Sequence, residues 1–271
     1  MKTLVKRALC AALPLTLVPT GAAAQSPYAP GATNYPAIAT GMSIPSVQAT
    51  PLFKVPAAVR GRSVLVDAAS ATLYMMESGQ IVDSMKVIVG KPSAATPELK
   101  TALTYTTLNP YWHVPADIAR TLTAPNVLKQ GRRYLDDRGY EVVSSFRSDA
   151  SVLDPDSVDW QAVVDGSERV YVRQRPGPAN SMGRMKFSLL NGGGIFLHDT
   201  PMKDLFDQED RSLSAGCVRL EDAPRFARWL LGDEQVLASA APEQQVALSR
   251  MVPITITYLD PRAQMQMAAL R

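Results

Sequence analysis

Apolar and polar positions alternate along several short stretches of the chain, the period of strands that bury one face. Ser63–Val66 and Thr72–Met76 are β-favouring runs, and Ile81–Val89 follows the turn pair Ser78-Gly79, which predicts a hairpin. Thr101–Thr107, rich in β-branched residues, predicts a further strand. Arg169–Gln174 alternates in the same way. Phe187–Leu190 and Ile195–His198 frame the triplet Gly192-Gly193-Gly194, and Ile254, Ile256 and Tyr258 alternate in a final strand.

Helical spacing is scarcer. Residues 116–138 carry it, with breaks expected at Pro125 and Gly131. Residues 139–165 are mixed, with turn signals at Asp154-Pro155 and Asp165-Gly166. Asp222 is placed to cap a helix whose apolar face is Ala223, Phe226, Ala227, Leu230 and Leu231, ending at Gly232. A second helix is expected over 242–250. The sequence has no internal repeat and no regular strand–helix–strand spacing, so a doubly wound nucleotide fold is disfavoured. The predicted class is mostly β (α+β), a β-domain with peripheral helices.

The N-terminal 60 residues read differently. Lys2, Lys6 and Arg7 precede the apolar run Ala8–Val18, and Ala22-Ala23-Ala24 offers a small-residue cleavage site. Residues 1–24 thus resemble a signal peptide, too short to span a bilayer and interrupted by Pro14. This predicts export to the periplasm with no transmembrane segment after cleavage. Residues 25–60 contain six prolines and are expected to be a linker. The net charge of +3 comes from the leader, since the rest of the chain balances 25 acidic residues with as many basic ones. A nucleic-acid footprint is not supported.

Cleavage would remove Cys10 and leave Cys217 as the one cysteine, beside two histidines. Exported proteins normally use cysteines in pairs. A lone thiol in such a compartment is either an inert core residue or a nucleophile. Its surroundings favour the second. His198 ends the apolar strand Ile195–His198, and Cys217 follows 19 residues later within Ser214-Ala215-Gly216-Cys217-Val218-Arg219. An imidazole beside a thiol makes the thiolate available. The amides of Gly216 and Cys217 are candidate oxyanion donors. Arg219 is a candidate carboxylate ligand, with a surface ion pair as the alternative. Zinc would need more Cys and His ligands than remain, so no metal or other cofactor is expected. Papain-like peptidases place Cys before His, and sortases set His much farther upstream, so neither order fits.

The pattern His198 followed by Ser214-x-Gly216-Cys217-x-Arg219 resembles the L,D-transpeptidase catalytic domain family (YkuD type). Further motifs carry the resemblance from about Ser63 to Leu231. They are Val87-Ile88-Val89-Gly90-Lys91 with Thr96-Pro97, the loop Asn109-Pro110-Tyr111-Trp112-His113-Val114-Pro115, and Pro176–Gly183 with Lys186-Phe187. His198-Asp199-Thr200-Pro201 and Leu205-Phe206 complete the set. Several of these are similar to the YcbB-like branch. Two features depart from the family: Ala215 stands where His or Ser is frequent, and residues 25–60 are too short and proline-rich for a peptidoglycan-binding module.

The resemblance implies a β-barrel or sandwich catalytic domain over 61–260, an inserted capping subdomain at 117–175, and a C-terminal tail at 261–271. It implies a peptidoglycan stem tetrapeptide as acyl donor, attacked by Cys217 at its third residue with release of D-alanine. A second stem peptide is the acceptor. His198 would move the proton, and the Asp199 backbone carbonyl would hold its tautomer. Gly216 belongs to the catalytic set. Arg219 and Ser214 are expected near substrate. Trp112 is a candidate lining residue, with a core position as its alternative, and Asn180 and Lys186 are expected to brace the loop before the catalytic strand. An L,D-carboxypeptidase or amidase using the same pair is the alternative activity, and a non-catalytic wall-binding domain the alternative class. Oligomeric state is not read from the sequence.

Overall fold

The structure, a computed structural model, describes residues 61–190, 194–232 and 239–270. The expected signal peptide and linker lie outside the described residues. The first four strands are β1 (Arg62–Asp67), β2 (Thr72–Glu77), β3 (Gln80–Gly90) and β4 (Leu99–Leu108). Each falls where alternation predicts it. β2 and β3 form the expected hairpin, with Ser78 and Gly79 at φ 51° and 85°, the handedness that matches strand twist.

A subdomain follows. It contains β5 (Trp112–His113), α1 (Ala116–Ile118), a π turn at Ala119–Thr123, α2 (Ala124–Gln130) and α3 (Arg133–Asp136). β6 (Tyr140–Val143), β7 (Val152–Leu153), α4 (Trp160–Asp165) and β8 (Tyr171–Gln174) complete it. Its strands form a separate sheet in the order β5-β8-β6-β7. It has its own apolar cluster, including Val114, Leu135, Val142, Trp160 and Val172. Trp112 and His113, which precede the expected insertion at 117–175, belong to this sheet. Pro125 does not break the helical run as expected. It sits in the first turn of α2, where its missing N–H costs little, and the π turn carries the chain into it.

The chain then returns to the first sheet with β9 (Met185–Leu189), β10 (Phe196–His198), β11 (Ser212–Ser214) and β12 (Val218–Leu220). α5 (Ala223–Leu231), β13 (Gln244–Thr257) and α6 (Pro261–Ala268) end it. The sheet order is β11-β3-β12-β10-β9-β4-β13-β1-β2, and β2 also pairs with β3. That last pairing closes a ring, so the fold is a mostly-β barrel with a few helices. Closure removes the exposed edges an open sheet would present.

The barrel interior holds Val66, Leu73, Met75, Val87, Phe187, Leu197, Val218, Leu220 and Ile256, all essentially inaccessible. α5 lays its predicted face, Ala223, Phe226, Ala227 and Leu230, on the same cluster. The rings of Phe226 and Phe187 meet edge to face at 4.9 Å, a geometry worth about 1 kcal/mol beyond burial. Asp222 caps α5 by accepting from the Arg225 amide at 2.9 Å.

Two expectations are corrected here. Residues 242–250 are not a helix: a turn at 242–243 leads into the first half of β13, paired with β4 from Gln244↔Leu108 onward through an irregularity after Ala247. Helix-favouring Glu, Gln, Ala and Leu lose to the long pairing with β4. Residues 261–271 are not simply a tail. Asp260 caps α6 by accepting from the Ala263 amide at 2.8 Å. Ala263 and Met267 pack on Leu65, Tyr74 and Met76, the outer face of β1 and β2.

Candidate active site

Alternation along β9, β10 and β12 decides which side chains leave the core. Phe187, Leu197 and Val218 point into the barrel. Their neighbours Lys186, His198 and Arg219 therefore share the other face. The register aligns them: His198 faces Lys186 on antiparallel β9 and Arg219 on parallel β12. Three basic side chains thus stand in one row across three strands.

Cys217 immediately precedes β12, two residues before Arg219, with the core residue Val218 between them. It is half-buried, and the neighbouring Ala215 is exposed, so the thiol sits at an opening. Its sulfur lies against the lead-in to β10. It donates to the Gly194 carbonyl at 3.8 Å and accepts from the Phe196 amide. The sulfur's hydrogen bonds thus go to the backbone at and just before the start of β10, and His198 is two residues beyond Phe196. Cys217 thus stands just before β12 and His198 on the paired strand β10, and the Arg219 charge acts on both.

His198 is 5% exposed. Its Nδ1–H donates to the Asp199 carbonyl at 2.5 Å. This fixes the tautomer and leaves Nε2 as the lone-pair nitrogen. Burial, aided by the Arg219 charge, lowers the imidazole to about 4, against the opposing pull of Asp199. Burial also raises the Cys217 thiol, although part of the residue reaches solvent. The Phe196 amide and the Arg219 and Lys186 charges oppose that rise. Burial likewise lowers Arg219, opposed by Cys217. At neutral pH the resting pair is thus a neutral thiol and a neutral imidazole rather than an ion pair.

Asp199 contributes its backbone carbonyl, not its carboxylate, to His198. The carboxylate accepts from Lys203 Nζ at 2.8 Å and from the Arg184 amide at 2.9 Å. Gly183 makes room for it: a Cβ there would lie 2.4 Å from Asp199 Oδ2, at φ +60°. Asn180 braces the same loop as expected. Its Nδ2 donates to the Pro110 and Arg175 carbonyls at 2.9 and 3.0 Å, and its Oδ1 accepts from the Met182 amide at 2.7 Å.

Several expected roles change. Ser214, expected near substrate, is 3% exposed and turned into its own loop. Its hydroxyl donates to the Cys217 carbonyl at 2.6 Å and accepts from the Gly216 amide at 3.1 Å. The Gly216 amide is therefore committed, and is not available as the oxyanion donor the sequence suggested. Trp112 is half-buried and packs against the subdomain's apolar cluster, 6.3 Å from Tyr140 between ring centroids. Lys186 makes no hydrogen bond among the described residues that would brace the loop; its Nζ lies 5.1 Å from the centre of the Phe196 ring.

One residue of the site's framework escaped the sequence reading. Thr96, 1% exposed, donates its hydroxyl to the Gly216 carbonyl at 2.9 Å and accepts from the Gly90 amide at 2.8 Å. Tyr258 donates to its carbonyl at 2.8 Å. The Thr96-Pro97 motif was visible, but not its reach to residue 216. Among the described residues, no group of three or more His, Cys, Asp or Glu side chains stands together to hold a metal ion. The Arg219 and Lys186 charges that act on the sulfur would repel one.

Residues 61–246 match the family model described as the L,D-transpeptidase catalytic domain, YkuD. The chain belongs to the YkuD family. A Haemophilus influenzae protein inferred to be an L,D-transpeptidase is 32% identical over 168 residues, covering 62% of this chain and 33% of that protein. The chain thus matches about a third of the length of that curated relative. Among solved structures, an L,D-transpeptidase from Mycobacterium smegmatis is 17% identical, covering 72% of this chain and 59% of that one, with a TM-score of 0.32. L,D-transpeptidase 1 of Mycobacterium tuberculosis is 13% identical over 72% and 60%, with a TM-score of 0.30. Likenesses this low carry no argument; membership of the YkuD family rests on the family model.

Proposed function

We propose that this YkuD-family chain is an exported cysteine acyltransferase, an L,D-transpeptidase that cross-links peptidoglycan stem peptides in the periplasm. The observation that carries the reading is the placement of the half-buried Cys217 thiol just before β12, next to a neutral His198 imidazole on paired β10 and an Arg219 guanidinium with no ion-pair partner among the described residues. Export rests on the leader-like residues 1–24. No helix among the described residues is long and apolar enough to cross a membrane. The folded insertion beginning at Trp112 supports the YcbB-like branch.

In this reading Cys217 Sγ attacks the carbonyl of the donor's third residue while His198 Nε2 takes the thiol proton. Because thiol and imidazole both rest neutral, deprotonation accompanies attack rather than preceding it. The carbon–nitrogen bond to D-alanine breaks, and His198 returns the proton to the departing amine. A thioester to Cys217 remains. An amine of a second stem peptide attacks it, loses its proton to His198, and the thiol is regenerated. The Nδ1–H bond to Asp199 keeps Nε2 aimed through both halves.

The test is mass spectrometry of products from purified chain and disaccharide–tetrapeptide fragments. The expected result is a cross-linked dimer with loss of D-alanine, absent with Cys217→Ala. Tripeptide product alone would establish the carboxypeptidase instead. Unchanged fragments, or a Cys217→Ala variant that still forms dimer, would overturn the reading.

A further inference from the structure

The row that places His198 also places a charge that the reaction just described does not use. Lys186 and Arg219 are its two immediate cross-strand neighbours, one on each side. Their backbones are therefore roughly 10 Å apart, two strand spacings, and both side chains are half-buried on the thiol's face. Both act on Cys217 and on His198.

Among the described residues, no carboxylate lies within ion-pair distance of Lys186 or Arg219, although eleven other such contacts are present. The acid adjoining the row, Asp199, is held by Lys203 and the Arg184 amide. Two partly desolvated cations without a counter-charge are costly to bring together. Polar groups around Lys186 are also unmatched. Thr107, opposite it on β4, and Ser188, two residues along β9, carry covered hydroxyls with no hydrogen-bond partner among the described residues. A site of this composition fits an anion with several acceptor oxygens.

We infer that Lys186 and Arg219 form a carboxylate-holding pair that brackets His198 and selects a donor peptide carrying a free carboxylate next to the bond that breaks. The inference rests on the acyl-donor reading above. The donor has two carboxylates near that bond: the side-chain carboxylate of the third residue and the terminal carboxylate of the residue that leaves. Lys186 is a specificity-determining residue here. It touches the donor's charge and not the reacting atoms.

Two measurements test this, one of them independent of any donor. The first is the rate of Cys217 alkylation by iodoacetate divided by that for iodoacetamide, followed by peptide mass spectrometry on the purified full chain. The ratio cancels the thiolate fraction, which the substitutions also change, and reports the charge felt by an anion at the sulfur. Lys186→Met is expected to lower it by at least about threefold at low salt, and Lys186→Arg to retain it. The second compares tetrapeptide donors bearing a carboxamide at the third side chain or at the C-terminus. One of them is expected to lose kcat/KM by about tenfold or more in the native chain. Lys186→Met is expected to erase that preference. An alkylation ratio unmoved in Lys186→Met, or donors that react equally well whichever carboxylate is masked, would overturn the pair. A ratio that falls while no donor reacts would uphold the pair and sink the donor reading instead.

Discussion

Thr96 and Gly216 are joined by a buried hydrogen bond of 2.9 Å, hydroxyl to carbonyl, one residue before the nucleophile. The same hydroxyl accepts from the Gly90 amide. The end of β3 and the Cys217 loop are therefore held to each other through one side chain 120 residues away from the loop in sequence. Thr96→Val keeps the shape and strands two backbone groups, each costing about 1–3 kcal/mol when left unmatched. The expected outcome is a lower Tm with slower acylation of Cys217, and Thr96→Ser should recover both. A Val variant that acylates at the native rate would remove Thr96 from the framework of the site.

The lowered imidazole predicts how stability depends on pH. An unfolded His198 would titrate at 6.5, and in the fold it titrates at about 4. Between those values the unfolded chain binds the extra proton. The stability that His198 contributes is thus fully present above pH 6.5 and lost as pH falls towards 4, by about 3 kcal/mol. Denaturation midpoints measured across this window should fall with pH in the native chain. They should fall less in His198→Asn.

Arg219 disfavours the charged imidazole and favours the charged thiolate. Arg219→Met should therefore move both titrations upward. For the imidazole the readout is the NMR shift of its ring proton. For the thiol it is the pH dependence of iodoacetamide labelling, which in the native chain should still climb above the ordinary thiol range. Movement of the two in opposite directions would contradict the shared influence of the guanidinium.

Gly183→Ala should destabilise the fold by at least about 2 kcal/mol. Its new methyl carbon would meet the Asp199 carboxylate, at a backbone angle that side chains avoid. Gly232→Ala is the control, in the left-handed helical region at φ +69° and ψ 9° with open space around it. It should show only the backbone penalty, about 1–2 kcal/mol. Equal losses in thermal or urea melts would mean that Asp199 is not tightly held by the absence of a side chain at 183.

Alternation and caps made much of the barrel readable in advance. Strands such as β2 and β3 bury one face and advertise it every second residue, and Ser78-Gly79 announces their turn. Asp222 and the 3.6-residue face of α5 did the same for a helix. β13 was misread because Glu243–Leu248 favours helix locally, and its pairing with β4 spans more than 130 residues. α6 carried a usable signal, Asp260-Pro261 followed by Ala263 and Met267, that a tail reading passed over. Cys217, His198 and Arg219 stood out in the sequence by type and spacing. The committed hydroxyl of Ser214 and the hand of Thr96 did not, because they depend on where two loops meet. Lys186 sits beside His198 only through strand pairing, which local periodicity does not encode.

The strands that carry the reactive groups also build the hydrocarbon interior. A slip of one position along β12 would bring Arg219 into the barrel and turn Val218 and Leu220 out to water. Such a chain would aggregate or be degraded before it could act wrongly. Quality control of the fold is, in this protein, also quality control of the reaction: misaligned copies fail as solids, not as faulty catalysts.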